Sequence, residues 1–111
     1  MQTATSITKD KSQVAIIENY LCIKMPKEVD HDSIAKLREQ ADEMILQNAV
    51  QNIVFDFEET EFMDSSGIGI IVGRYRKISC LGGKVFAINA NARIKKILRT
   101  SGMQTIIDVL S

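Results

Sequence analysis

The chain predicts a mixed α/β fold: a sheet of four to five strands, an N-terminal hairpin followed by parallel strands, and three to four helices. Three observations carry this. Two β-rich runs, Val14-Ala15-Ile16-Ile17 and Tyr20-Leu21-Cys22-Ile23-Lys24-Met25, are separated only by Glu18-Asn19, which is hairpin spacing. Apolar residues then recur at helical spacing in three separate segments. Between those segments stand two apolar runs, Ile53-Val54-Phe55-Asp56-Phe57 and Lys84-Val85-Phe86-Ala87-Ile88. Helices alternating with strands imply parallel pairing through right-handed crossovers.

The elements follow in order. Residues 1–12 are polar and form an N-terminal arm or a weak edge strand, leaving 13–111 as one domain. Pro26, the only proline, ends the second strand by removing a ladder donor. From Asp30 the period changes. Ile34, Leu37, Ala41, Met44, Ile45 and Asn48 share one helical stripe, with Arg38, Glu39, Asp42 and Glu43 on the opposite face. Asp30 or Asp32 caps this helix. Ile53–Phe57 reads as a strand covered on both faces. A loop, Glu58-Glu59-Thr60-Glu61-Phe62-Met63, leads to Asp64-Ser65-Ser66-Gly67, a helix start. Ile68, Ile71, Val72, Tyr75 and Ile78 follow at helical spacing to about Ser79, and Gly82-Gly83 closes the unit. After the next strand, Asn89 or Asn91 caps a third helix that turns Ile94, Ile97 and Leu98 inward and stops at Gly102. Met103–Ser111 forms either an edge strand or a last helical turn.

Composition narrows the function. Lysines plus arginines equal aspartates plus glutamates, for a formal net charge of zero, so nothing in the balance asks for nucleic acid or an anionic membrane. No apolar run approaches the ~20 residues of a membrane span. The first residues lack the basic head and apolar core of a signal peptide. A cytoplasmic protein is expected, without cofactor or metal. Cys22 and Cys80 match neither a disulfide framework nor a metal spacing, and read as two small core residues in a reducing compartment.

The segment around Asp64 carries the chemistry. As an N-cap it places Ser65 in the first helical turn beside unpaired amides, where negative charge is favoured. Gly67, Gly69 and Gly73 leave one helix flank bare, which serves either close packing or the approach of another backbone. Other signals are weaker. Gly67-Ile68-Gly69 has the wrong spacing for a dinucleotide fingerprint. A hydrolytic serine needs a paired base, and His31, the only histidine, is expected on the opposite side of the fold in a loop or capping role. Arg93, Lys95, Lys96 and Arg99 read as a solvated basic face. Glu58, Glu59 and Glu61 form an acidic loop, either solvated or facing a basic partner.

Phe62-Met63-Asp64-Ser65-Ser66-Gly67-Ile68-Gly69-Ile70-Ile71-Val72-Gly73-Arg74-Tyr75-Arg76-Lys77-Ile78 closely resembles the signature of the STAS domains (sulphate transporter and anti-sigma factor antagonist). Within them the chain is most similar to the sporulation anti-anti-sigma factors of endospore-forming bacteria. The resemblance extends to Glu28-Val29-Asp30-His31, Gly82-Gly83 and Ser101-Gly102-Met103, over roughly residues 13–107. Pro26-Lys27 stands where the family often shows a glycine.

The resemblance implies the STAS fold and a switch in sporulation or a stress response. The unphosphorylated form binds an anti-sigma factor that is also a serine kinase using ATP and magnesium, and so releases the sigma factor. Phosphorylation of Ser65, with Ser66 as rival, inactivates the antagonist, and a PP2C-type serine phosphatase restores it. Partner contacts are expected from Asp30, His31, Met63, Asp64, Ser65, Ser66 and Gly67, and from an exposed flank formed by Gly69, Ile70, Gly73 and Arg74. The domain is expected to be a monomer and a substrate of enzymes, with no catalysis of its own. The alternative is a STAS module that binds a small molecule or a transporter subunit.

Overall fold

The computed structural model describes residues 13–110; the expected arm over residues 1–12 lies outside the described residues. The order is β1 (Val14–Ile17), β2 (Tyr20–Lys24), β3 (Glu28–Val29), α1 (His31–Gln47), β4 (Asn52–Asp56) and β5 (Phe62–Met63). Then come α2 (Ser65–Ser79), β6 (Val85–Ile88), α3 (Ala92–Thr100), a 3-10 turn (Met103–Thr105) and β7 (Asp108–Val109). The final segment therefore contains both elements between which the sequence left the choice open.

Five strands form the main sheet in the order β1-β2-β4-β6-β7. β1 and β2 pair antiparallel through the Glu18-Asn19 hairpin, and every later pair is parallel. Each crossover from β2 onward moves the chain the same way along the sheet. Right-handed crossovers that all advance in one direction put all three helices on one face.

The burial pattern agrees. Leu21, Ile23, Ile53, Phe55, Val85 and Ala87 point to the helical side and are buried, as are Ile34, Leu37 and Ala41 of α1 and Ile94 and Leu98 of α3. Ala15, Tyr20, Cys22, Val54 and Phe86 alternate with them on the other side, and none is fully buried. Ile53–Phe57 was expected to be covered on both faces. Instead only the face carrying Ile53 and Phe55 meets helices, because no crossover returns on the other side.

The caps resolve onto Asp30, whose carboxylate accepts the Ser33 amide, and Asn91, whose side-chain oxygen accepts the Ile94 amide. Gly102, in the left-handed region at φ 79°, lies just past the end of α3, as the sequence suggested. Asn48 leaves its expected inward stripe: it is exposed, and its amide and side-chain nitrogen both donate to the Met44 carbonyl at the end of α1. The cysteines are not core residues. Cys22 is half-buried on the open sheet face and Cys80 is exposed where α2 ends; both are free.

Candidate functional site

The site is organised by a feature too short to leave a sequence pattern. β3 and β5 form a separate two-stranded parallel ladder, pairing Glu28 with Phe62 and Val29 with Met63. Lys27 O accepts the amides of Glu61 and Phe62, and Val29 O accepts the Asp64 amide at 3.0 Å. Val29 and Met63 point inward and are buried, whereas Glu28 and Phe62 point out. Thr60, 2% exposed, locks the preceding loop by donating its hydroxyl to Pro26 O at 2.8 Å. One residue past the ladder, each strand enters a helix through an aspartate cap: Asp30 for α1 and Asp64 for α2. The starts of the two helices, His31 and Ser65, are thereby brought side by side. His31 is therefore not on the opposite side of the fold from Ser65. Parallel β3–β5 pairing reverses that expectation.

The two caps differ in detail. Asp30 Oδ1 accepts the Ser33 amide at 2.9 Å while its own amide donates to Ser33 Oγ at 3.0 Å, a reciprocal capping box. At the other, Asp64 Oδ1 accepts both the Ser66 amide at 2.8 Å and the Ser66 hydroxyl at 2.5 Å. These bonds hold the Asp64 carboxyl below the usual carboxylate range, the hydroxyl contributing most and the amide next; slight desolvation opposes them and the charge of His31 assists. The Ser66 hydroxyl is thus engaged. Ser65 is exposed, and no hydrogen bond to its hydroxyl is found among the described residues.

The face α2 turns inward is set by Gly67, Ile70, Ile71, Arg74 and Ile78, all buried. Four residues expected at the partner surface are buried in the folded chain: Gly67, Ile70 and Arg74 by this phase, and Met63 by the inward turn of β5. Met63 and Gly67 are buried against each other: a Cβ on Gly67 would collide with Met63 Cγ and Sδ and press on Val29 Cγ1. Gly67 is therefore a packing residue. Ile70, 1% exposed, and Arg74, 5% exposed, lie beneath the helix and not on its outer flank. Gly69 and Gly73 do remain open, with nothing within 4 Å of an added Cβ. Ser65, Gly69 and Gly73, four residues apart, share one outward stripe.

Arg74 is the expected contact whose place differs most from the expectation. Its Nε lies 3.0 Å from Asp42 Oδ1 on α1, in an ion pair not aligned as a hydrogen bond, and its Nη1 is buried without a hydrogen-bond partner. Burial pushes its pKa down, Asp42 opposes that, and Arg38 adds to it. Asp42 is half-buried by this contact, not displayed on the outer face of α1. A signal was available: Arg74 follows Ile70 and Gly67 by four and seven residues, in phase with the inner stripe.

The acidic loop is partly answered from within. Glu59 pairs with Lys24 at 3.5 Å, Glu61 with Lys27 at 4.0 Å, and Arg93 donates to the Glu61 carbonyl at 3.4 Å. No helix among the described residues is long and apolar enough to cross a membrane.

The chain is similar in sequence and fold to known proteins. The chain is 34% identical to an anti-sigma F factor antagonist of Paenibacillus polymyxa over 89 residues, 80% of this chain and 76% of the relative. Its fold superposes on the anti-sigma factor antagonist SpoIIAA in its unphosphorylated form with a TM-score of 0.79, at 28% identity, covering 89% of this chain and 87% of that one. The phosphorylated form of the Bacillus cell fate determinant SpoIIAA gives a TM-score of 0.71 at 28% identity, covering 89% and 90%. The STAS domain model matches residues 11–111, so nearly the whole chain is accounted for, and this protein belongs to the STAS domain family.

Proposed function

We propose that the chain is an anti-sigma factor antagonist: its unphosphorylated form docks on an anti-sigma factor with serine kinase activity, and phosphorylation of Ser65 ends the docking. One observation carries the choice of residue. Of the two adjacent serines, Ser66 has its hydroxyl held by Asp64, whereas Ser65, at the first position of α2, is exposed and its hydroxyl has no hydrogen bond among the described residues. A kinase needs a hydroxyl it can reach and turn toward a γ-phosphate, and only Ser65 offers one. The partner surface is the outward stripe Ser65-Gly69-Gly73 together with Asp64, Ser66 and the start of α1 at Asp30–His31.

Phosphorylation here need not disturb the fold. The group would stand at a helix N-terminus, which tolerates negative charge. Against a docked protein the effect is different. About −1.5 to −2 charges arrive next to Asp64, inside a surface that contact would dry. Driving a complex from mostly bound to mostly free takes about 5.5 kcal/mol, within reach of an uncompensated buried dianion. The chain acts as substrate and ligand, ATP and magnesium belong to the kinase, and a PP2C-type phosphatase resets Ser65. The site is tested by incubating the chain with its kinase and ATP and mapping the label. Ser65→Ala should abolish incorporation yet still bind the kinase. Full labelling of Ser65→Ala would overturn the assignment.

A further inference from the structure

We propose that His31 is the intramolecular partner of the phosphate on Ser65, and that phosphorylation therefore also withdraws His31 from the docking surface. The inference rests on Ser65 being the modified residue.

The juxtaposition comes from the backbone. Val29 and Met63 are paired across a parallel ladder, and His31 and Ser65 each lie two residues beyond that pair. Each opens its helix, and both are exposed. Adjacent parallel strands run about 4.8 Å apart and packed helices about 8–10 Å apart. An imidazole and a phosphoseryl arm extending from two such neighbouring positions can meet. Consistent with this closeness, the charge of His31 acts on the carboxylate of Asp64, the residue preceding Ser65.

The chemistry of the surroundings singles His31 out. The first turn of α1 is His31-Asp32-Ser33-Ile34 and that of α2 is Ser65-Ser66-Gly67-Ile68, so His31 is the only basic side chain in either. The charged groups nearest it along the chain are carboxylates, Glu28 in β3 and Asp30 and Asp32 on either side, and across the ladder Asp64 feels its charge. Lys27, the cation next in sequence, lies outside both turns and faces Glu61 at 4.0 Å. Within these two turns a phosphate on Ser65 finds one charged donor, the imidazolium N–H, and a charge-assisted hydrogen bond to it is about twice as strong as a neutral one. In the unmodified chain the ring is exposed, and no hydrogen bond to it is found among the described residues.

The test uses the full chain with phosphoserine installed at position 65 during synthesis, so that no kinase is involved. The His31 ring protons and the phosphorus resonance are followed by NMR across pH. The His31 midpoint should rise by more than about one pH unit over that of the unmodified chain, since two charges roughly 6 Å away in water would give about one unit and a hydrogen-bonded phosphate lies nearer. The phosphate midpoint should be lower than in the phosphorylated His31→Gln chain by a similar amount, since the coupling is reciprocal. A His31 midpoint within about 0.2 pH unit of the unmodified value, or a phosphate titration unaltered by His31→Gln, overturns the proposal. Labelling of the wrong serine by a kinase would instead sink the reading of Ser65 as the kinase's target and leave this measurement standing.

Discussion

The hydroxyl of Ser66 lies 2.5 Å from Asp64 Oδ1, the oxygen that also takes the Ser66 amide at 2.8 Å. Two neighbouring serines thereby differ: the Ser66 hydroxyl closes the helix start, and Ser65 stays exposed. Ser66→Ala should lower the thermal midpoint and fray the first turn of α2, because Asp64 loses the stronger of its two bonds. Ser65→Ala should leave the midpoint where it is. Amide exchange at residues 65–68 reports the difference. Equal protection in the two variants contradicts it.

Asp64 also gives stability a pH dependence with a definite sign. Its pKa in the folded chain is lowered, mainly by the Ser66 hydroxyl and then by the Ser66 amide. The ionised form is therefore the one the fold favours. Its contribution is complete above the unfolded carboxylate range, about 4, and is lost as pH falls through the lower folded value. Asp64→Asn keeps a capping oxygen without the charge. The midpoint gap between wild type and this variant should be open at pH 7, begin to narrow below about pH 4 and close only as pH falls past the lower folded value, in thermal melts. A gap that persists unchanged into acid refutes the assignment.

The glycines of α2 should separate by function. Gly69→Ala meets nothing in the free chain and removes a helix penalty, so the isolated protein should gain about 0.5–1 kcal/mol while affinity for the partner falls at least ~10-fold. Gly67→Ala should cost about 1–3 kcal/mol from overpacking against Met63 and Val29. Denaturant melts measure both stabilities and calorimetric titration the affinity. If Gly69→Ala binds as wild type does, the outward stripe is not the docking surface.

Arg74 and Asp42 join α2 to α1 through an arginine whose side chain is 6% exposed. Arg74→Ala should cost about 3 kcal/mol, the low end for a broken buried pair, because Asp42 is a third exposed and water recovers part of the loss. Replacing both partners with apolar residues, Arg74→Met with Asp42→Leu, should restore most of that stability. A double variant no better than Arg74→Ala in urea melts would show that the charge pair itself is required.

The sequence made the hairpin, three helices and the parallel strands legible because each imposes its own period over four or more residues. Asp64 was legible as a cap, since an aspartate before Ser-Ser-Gly and an apolar helical stripe has few other uses. The β3–β5 ladder was not. Two residues per strand, Glu28-Val29 and Phe62-Met63, carry no alternation to detect, and without their pairing the nearness of His31 to Ser65 stays hidden. Arg74 was misassigned because its charge outweighed its helical phase. The inner stripe could accept an arginine only because Asp42 on another helix stood opposite, and that is a tertiary fact.

The central claim is that a phosphate on Ser65 is enough to end docking on the anti-sigma factor. The most direct measurement is the partner's affinity, by calorimetry, for the unmodified chain and for the same chain carrying phosphoserine only at position 65. The account predicts a loss of at least ~100-fold, and up to ~10⁴-fold if the switch runs from mostly bound to mostly free, with backbone shifts confined to the starts of α1 and α2. Equal affinity for the two chains would contradict it.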